Sequence, residues 1–231
     1  MKPLTAIVLV AGGESSPRRH KFTNAADAKP KCLYHVDGET ILKRMTSTLR
    51  KAGVGHIRAV VGFRAEQIKE YKRRHNLGIE LVYNREYITD AVNSVTVGLN
   101  GLDNDVLILL GDIIISQETI TQFIDHESSL VWAVHKKRYC RAKYKPLRGK
   151  QVEIVKVARE KLGIFKDIQS HAENVMEELH WRKNRYFKGQ GVWLYYGILE
   201  TLYRNGPVGA VVLEHAIEDI DCLNQTDEGK V

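Results

Sequence analysis

The stretch "LTAIVLVAGGESSPRRHKFTNAADAKPKCL" (4–33) decides the fold. Residues 4–11 are a near-continuous apolar run rich in Ile and Val, the pattern of a central strand covered on both faces. Gly12 and Gly13 then break the strand and let the backbone turn sharply and approach a ligand closely. The loop that follows carries Arg18, Arg19, Lys29 and Lys31, with Pro30 between the two lysines. A loop leaving the carboxyl end of a central parallel strand lies at the ligand crevice of such sheets.

Working outward, the pattern alternates. Residues 39–53 place Ile41, Leu42, Met45 and Leu49 at helical spacing and stop at Gly53. Residues 57–63 read as a strand, 65–76 as a helix with a polar face, and 78–84 as a third strand. Residues 94–102 read as a short helix beginning at Ser94, and 105–112 as a fourth, buried strand. A helix over 116–126 follows, capped by Ser116, and then a fifth strand over 129–135. Strands alternating with helices of crossover length predict a doubly wound, mostly parallel α/β sheet. Beyond 136 the text changes. Residues 136–150 are basic and irregular, 151–158 and 161–168 resemble a two-stranded ribbon, 190–198 reads as a strand and 198–205 as a short helix. The expected organisation is one domain over 1–231, with 136–190 as an insertion on the substrate side.

Composition excludes several classes. At 43% hydrophobic and 27% charged residues the chain is ordinary globular protein, not disordered. The longest apolar candidate for a membrane span, Val106 to Ile115, is interrupted by Gly111-Asp112, so no membrane partner is expected. The N-terminus reads without a signal peptide. Cys32, Cys140 and Cys222 are odd in number and widely spaced, which argues against a disulfide framework or zinc site and for a reducing, cytoplasmic location. The net charge of +7 favours anionic partners. Nucleic acid is disfavoured among them, because the basic residues are scattered and no module pattern with interleaved aromatics is present. Composition does not fix an oligomeric state.

The loop chemistry suits a triphosphate. Backbone N–H groups at Ala11, Gly12 and Gly13 can cradle phosphate oxygens. Arg18 and Arg19 can form bidentate contacts and Lys29 and Lys31 can act as point charges. The glycine spacing matches neither the P-loop nor the dinucleotide fingerprint. A solvated basic loop is the plain alternative.

The run "LVAGG…R…KPKCLYHVDGETILKRMTSTLRKAGVGHIRAVVGF" resembles the N-terminal half of small-molecule nucleotidyltransferases: the sugar-phosphate nucleotidyltransferases, phosphocholine cytidylyltransferase and methylerythritol-phosphate cytidylyltransferase. Lys29-Pro30-Lys31 and Leu33 match the family's Pro-Lys signature. Glu14 stands where the family has a further glycine, and either Arg18 or Arg19 matches its arginine. "NREYITDAVNSVTVGL" (84–99) resembles the nucleotide-base segment, which implies base contacts from Asn93 and Ser94; capping of the helix that it begins is the alternative role for Ser94. "LILLGDIII" (107–115) resembles the strand whose terminal Asp holds magnesium, matched by Asp112. "EDIDCLNQTDE" (218–228) resembles the closing segment with the second metal carboxylate, matched by Asp221 with Asp219 as its competitor.

The resemblance implies Mg2+-dependent transfer of a nucleotidyl group, leaning to CTP, onto a small phosphorylated acceptor such as a phosphosugar or phosphocholine. Lys31, Asp112 and Asp221 would be the catalytic residues. Such a reaction needs positioning and electrostatics more than a protein base, because the attacking phosphate monoester is already largely dianionic. Trp132, Trp193 and Tyr195 could box a quaternary ammonium by cation–π attraction, or pack in the core. The competing functions are a nucleotide-sugar-dependent glycosyltransferase, which the motif Gly-Asp-Ile-Ile in place of Asp-x-Asp disfavours, and a non-catalytic nucleotide- or nucleic-acid-binding protein.

Overall fold

The structure is a computed structural model that describes residues 3–12, 29–87, 91–135, 154–163, 209–213 and 218–219. In chain order its strands are β1 (Leu4–Val10), β2 (His35–Val36), β3 (Glu39–Thr40), β4 (His56–Val61), β5 (Glu80–Tyr83), β6 (Asp105–Leu110), β7 (Ile113–Ile114), β8 (Leu130–His135), β9 (Ile154–Val157), β10 (Gly209–Leu213) and β11 (Glu218–Asp219). The helices are α1 (Ile41–Lys51), α2 (Ala65–Arg74), α3 (Ala91–Leu99) and α4 (Gln117–Asp125).

Among the described residues, seven strands form one sheet in the order β10-β8-β9-β6-β1-β4-β5. β1 runs parallel to both β4 and β6, with Ile7 opposite Arg58 on one side and Ile108 on the other. β4–β5 and β8–β10 are parallel pairs too, and β9 is reversed, antiparallel to both β6 and β8. The expected doubly wound, mostly parallel sheet is therefore present.

β1 shows why the opening run is almost wholly apolar. Ala6, Val8 and Val10 enter a core cluster with Leu42, Met45 and Leu49 of α1, Ile68 of α2 and Phe123 of α4. Ile7 and Ala11 enter a second cluster, on the opposite face, with Val95 of α3, Val106 and Val155. Alternate residues of a strand point to opposite faces, so a strand covered on both sides is apolar at nearly every position; the exception, Thr5, is buried with its hydroxyl 3.2 Å from His56 Nδ1. The helix boundaries also have local causes. Thr40 Oγ1 accepts from the Lys43 N–H at 3.3 Å at the start of α1. Ser116 Oγ accepts from the Thr119 N–H at 3.1 Å at the start of α4, as expected of an N-cap. Gly53, with φ of 87°, ends the first of these helices.

α3 lies unusually close to the sheet. A Cβ at Gly98 would stand 2.6 Å from Ile7 Cγ2 and 3.0 Å from Val60 Cγ2. Beneath its end, Arg58 donates to the carbonyls of Gly98 at 2.8 Å and Asn100 at 2.7 Å, and pairs with Glu80 at 2.9 Å. That guanidinium satisfies carbonyls that a helix C-terminus leaves without partners.

Two sequence expectations need correction. α3 begins at Ala91, so Ser94 lies inside the helix and does not cap it. The strand expected within 151–158 enters the main sheet as β9, with β6 on one edge and β8 on the other, and Arg159–Lys161 form a 3-10 turn; residues 164–168 of the expected ribbon partner lie outside the described residues. Antiparallel ribbons do exist, as β2–β3 and β7–β11. Strand β10 was not foreseen. The expected strand at 190–198 and helix at 198–205 lie outside the described residues. Among the described residues, no helix is long and apolar enough to cross a membrane.

Candidate active site

The sheet order reverses at β1: β4 and β5 lie to one side, β6 to the other. The segments leaving β1, β4, β5 and β6 emerge together at the carboxyl ends, where open α/β sheets bind ligands. Close approach draws these ends together. Phe63 N–H donates to the Ala11 carbonyl at 2.9 Å, and Gly111 N–H to the Leu9 carbonyl at 3.0 Å. A Cβ on Gly62 would sit 2.9 Å from the Ala11 oxygen, and one on Gly111 would sit 2.7 Å from the Leu9 oxygen. Side chains at either position would force the strand ends apart.

Gly12 differs. Its φ is not positive, and a Cβ there would meet nothing within 4 Å among the described residues. Neither its conformation nor its packing against the described residues demands glycine at this position.

Lys31 and Asp112, 81 residues apart in sequence, meet here: Lys31 Nζ donates to Asp112 Oδ2 at 3.0 Å, and each side chain is 23% exposed. Two local structures aim them. Pro30 precedes a 3-10 turn, Lys31–Leu33, that buries Cys32 and Leu33 in the core and turns Lys31 outward. Asp112 stands in the tight turn between β6 and β7. Cys32 lies under this pair, and burial first, then the Asp112 charge, push its thiol up from the usual 9.0. It stays protonated and is no nucleophile. Lys29 Nζ sits 4.6 Å over the Tyr34 ring.

Asp112 has a second neighbour in the fold. β11 pairs antiparallel with β7, Glu218 opposite Ile114 and Asp219 opposite Ile113. The chain at Asp219 therefore heads toward the turn that holds Asp112. Asp221 lies outside the described residues, as do Gly13, Arg18, Arg19, Trp193 and Tyr195.

Asn93 and Ser94 are near the start of α3. Asn93 Nδ2 donates to Glu86 Oε2 at 3.2 Å. Ser94 is 4% exposed and accepts from Asn84 Nδ2 at 2.9 Å. Trp132 is elsewhere: it packs against the second core cluster from β8, two strand positions from β6 and so on the order of 10 Å away. Sequence reasoning missed Asn84, Glu86 and Gly62. Asn84 had a visible signal, an Asn directly after a strand, but this reads as an ordinary turn residue. It does make such a turn, accepting from the Glu86 N–H at 2.9 Å.

The fold defines a class before any family does. Solved structures with the same architecture include a nucleotidyl transferase from Methanothermobacter thermautotroptrophicus, with a TM-score of 0.62 at 18% identity over 92% of this chain and 88% of that one. The inositol-1-phosphate CTP transferase from T. maritima also matches at a TM-score of 0.62, with 14% identity over 90% and 84% of the two chains. The CTP:phosphocholine cytidylyltransferase from Streptococcus pneumoniae matches at 0.59, with 15% identity over 95% and 94%. This is the nucleotidyltransferase fold. The family model of the MobA-like NTP transferase domain matches residues 6–193, and the chain belongs to that family of nucleotidyltransferases. Among curated relatives, the bifunctional IPC transferase and DIPP synthase of Rubrobacter xylanophilus is 31% identical over 107 residues, 46% of this chain and 24% of that protein. The bifunctional protein GlmU of Clostridium novyi is 25% identical over 176 residues, 76% of this chain and 35% of that protein. The chain thus spans about a quarter to a third of the curated relatives it matches.

Proposed function

We propose that the chain transfers a cytidylyl group from CTP to a small phosphorylated alcohol or sugar. An oxygen of the acceptor phosphate attacks the α-phosphorus, the bond from that phosphorus to the bridging oxygen breaks, and pyrophosphate leaves. The single observation that carries the reading is the Lys31–Asp112 pair at 3.0 Å, at the point where the sheet order reverses. The names of the relatives support the acceptor class: one is an inositol-1-phosphate CTP transferase and another uses phosphocholine.

The donor set suits a hard divalent ion such as Mg2+. Asp112 is a carboxylate already facing one cation, the Lys31 ammonium. Among the described residues no group of three or more His, Cys, Asp or Glu gathers as a softer metal would require. Magnesium takes one or two carboxylates and leaves its other positions to substrate phosphates and water. Asp112 and Asp221 would hold it. Bound there, such an ion supplies positive charge that offsets the triphosphate.

The chain's own groups do the rest. Lys31, fixed by Pro30 and the buried Cys32 and Leu33, holds charge on the triphosphate as pyrophosphate departs. Backbone N–H groups at Ala11, Gly12 and Gly13, with Arg18, Arg19 and Lys29, hold the phosphates, and Asn93 and Ser94 hold the base. Residues 136–190 form the acceptor side of a single domain, with Trp132, Trp193 and Tyr195 as its aromatic contacts. The cysteine pattern supports a cytoplasmic setting.

Thermal unfolding with each of the four triphosphates and Mg2+, together with pyrophosphate release from a panel of phosphorylated acceptors, tests the proposal. CTP gives the largest rise in melting temperature, because a ligand that binds the native state raises its apparent stability. Equal rises for all four triphosphates would remove the base assignment. No pyrophosphate release with any acceptor would remove the reaction.

A further inference from the structure

Ser94 is buried inside a helix, so what its hydroxyl can do depends on the group beside it. Asn84 Nδ2 donates to Ser94 Oγ at 2.9 Å. The orientation of that amide follows from its other end. Asn84 Oδ1 accepts from the Glu86 backbone N–H at 2.9 Å, and a backbone N–H only donates. The amide NH2 must therefore face the serine. Asn84 is itself held firmly: it is 2% exposed, and its own N–H donates to the Val61 carbonyl at 2.8 Å. One buried residue ties together the end of β4 through its backbone N–H and the turn at 85–87 and α3 through its side chain.

A hydroxyl that accepts from an amide keeps its own proton to give elsewhere. We propose that Asn84 is a positioning residue that sets Ser94 as a hydrogen-bond donor toward the pyrimidine edge of the nucleotide. The consequence is specificity. Cytosine presents two adjacent acceptors, O2 and N3, whereas uracil carries a proton on N3. A hydroxyl fixed as a donor favours the first edge over the second. The proposal rests on Ser94 being a base contact, and it adds the device that fixes which way the serine's hydrogen bond points.

The test is a double-mutant cycle on the full chain, with CTP and UTP dissociation constants measured by calorimetry in Mg2+. Asn84→Asp keeps the size and the acceptor for Glu86 N–H but offers Ser94 an acceptor in place of a donor, so the hydroxyl turns its proton inward. CTP affinity falls roughly three- to tenfold, the scale of one hydrogen bond, and the CTP:UTP preference falls with it. Ser94→Ala shows a comparable loss, and adding Asn84→Asp to it costs nothing further. Thermal unfolding without nucleotide confirms a folded protein. Should the buried carboxylate prevent folding, Asn84→Ser replaces it in the same cycle, since it removes the amide donor without adding charge. A Ser94→Ala variant with unchanged CTP affinity refutes the base contact and the proposal with it. A weakened Ser94→Ala variant beside an Asn84→Asp variant that binds normally, or whose losses add in the double variant, leaves the base contact standing and refutes the role of Asn84. In that case the serine proton is already spent on a carbonyl of its own helix.

Discussion

Replacing Asp112 by Asn separates two roles that the wild-type carboxylate combines. The amide oxygen still accepts from Lys31, so the 3.0 Å contact can persist while the charge disappears. At that distance the gross attraction is about 5.5 kcal/mol at an effective dielectric constant near 20. Partial burial of both ions, each 23% exposed, costs several kcal/mol in lost hydration. The net contribution to stability is about 1 kcal/mol, a shift of about 2–4 °C in melting temperature for a chain of this size. Turnover is another matter, since charge stabilisation of this kind is worth about 100- to 1,000-fold in rate. The proposed site adds a prediction that simple damage would not produce. With the metal chelated, the wild-type carboxylate repels the triphosphate, so Asp112→Asn binds metal-free CTP at least as tightly as the wild type. Pyrophosphate release, thermal melts and CTP titration in EDTA read these three quantities. Turnover within tenfold of the wild type, in a protein that melts normally, would refute the metal role of Asp112.

Two further predictions concern the frame around the site. Gly98→Ala places a methyl group 2.6 Å from Ile7 Cγ2, against a residue that is fully buried in the middle of the sheet. Overpacking of about 1–3 kcal/mol outweighs the gain of up to about 1 kcal/mol in helix propensity, so the urea midpoint falls, and a rise would show that α3 can lift from the sheet at no cost. Cys32 holds its proton in the folded state above the usual 9.0, through burial first and the Asp112 charge second. The unfolded chain therefore binds fewer protons above pH 9, and the stability that wild type holds over Cys32→Ala shrinks as pH rises past that value, by at most about 1.4 kcal/mol per unit. Denaturant curves of both proteins from pH 7 to 10 in EDTA show it, and a constant gap would mean the thiol ionises in place.

What was legible in the sequence was what local periodicity encodes. The apolar run at 4–11 announced a strand covered on both faces because both faces of β1 are indeed covered. Ser116 was readable as a cap because a cap needs only its own hydroxyl and an N–H three residues on. The capping alternative for Ser94 failed by the same rule: serine favours helix starts, yet this one lies inside α3 with a buried partner, Asn84. β9 was readable as a strand but not as a member of the main sheet, since nothing in "IVKV" states which strands will flank it. β10 was missed outright. "GAVVL" is short and apolar, and its place depends on pairing with β8, a long-range contact that composition does not announce.

The candidate site lies between these cases. Lys31 and Asp112 could each be picked out by resemblance, but their meeting is a property of register. β1 and β6 pair with Leu9 opposite Leu110, so Ala11 and Asp112 leave the sheet side by side. Gly111 then lets the turn close onto the Leu9 carbonyl, where any side chain would collide with Val10. On the other side, burial of Cys32 and Leu33 decides that Lys31 faces outward from its turn. A cation and a carboxylate brought together by three independent packing constraints are held in place before any ligand arrives. In electrostatic catalysis that is the useful condition, because groups already oriented need not reorganise as charge develops. The same fixed geometry sets a competition. A divalent ion held by Asp112, as proposed, would share the carboxylate with the Lys31 ammonium or displace it, and a bound triphosphate would give the displaced ammonium a new anionic partner. Metal and nucleotide should therefore bind with positive coupling, each tighter in the presence of the other by the same factor.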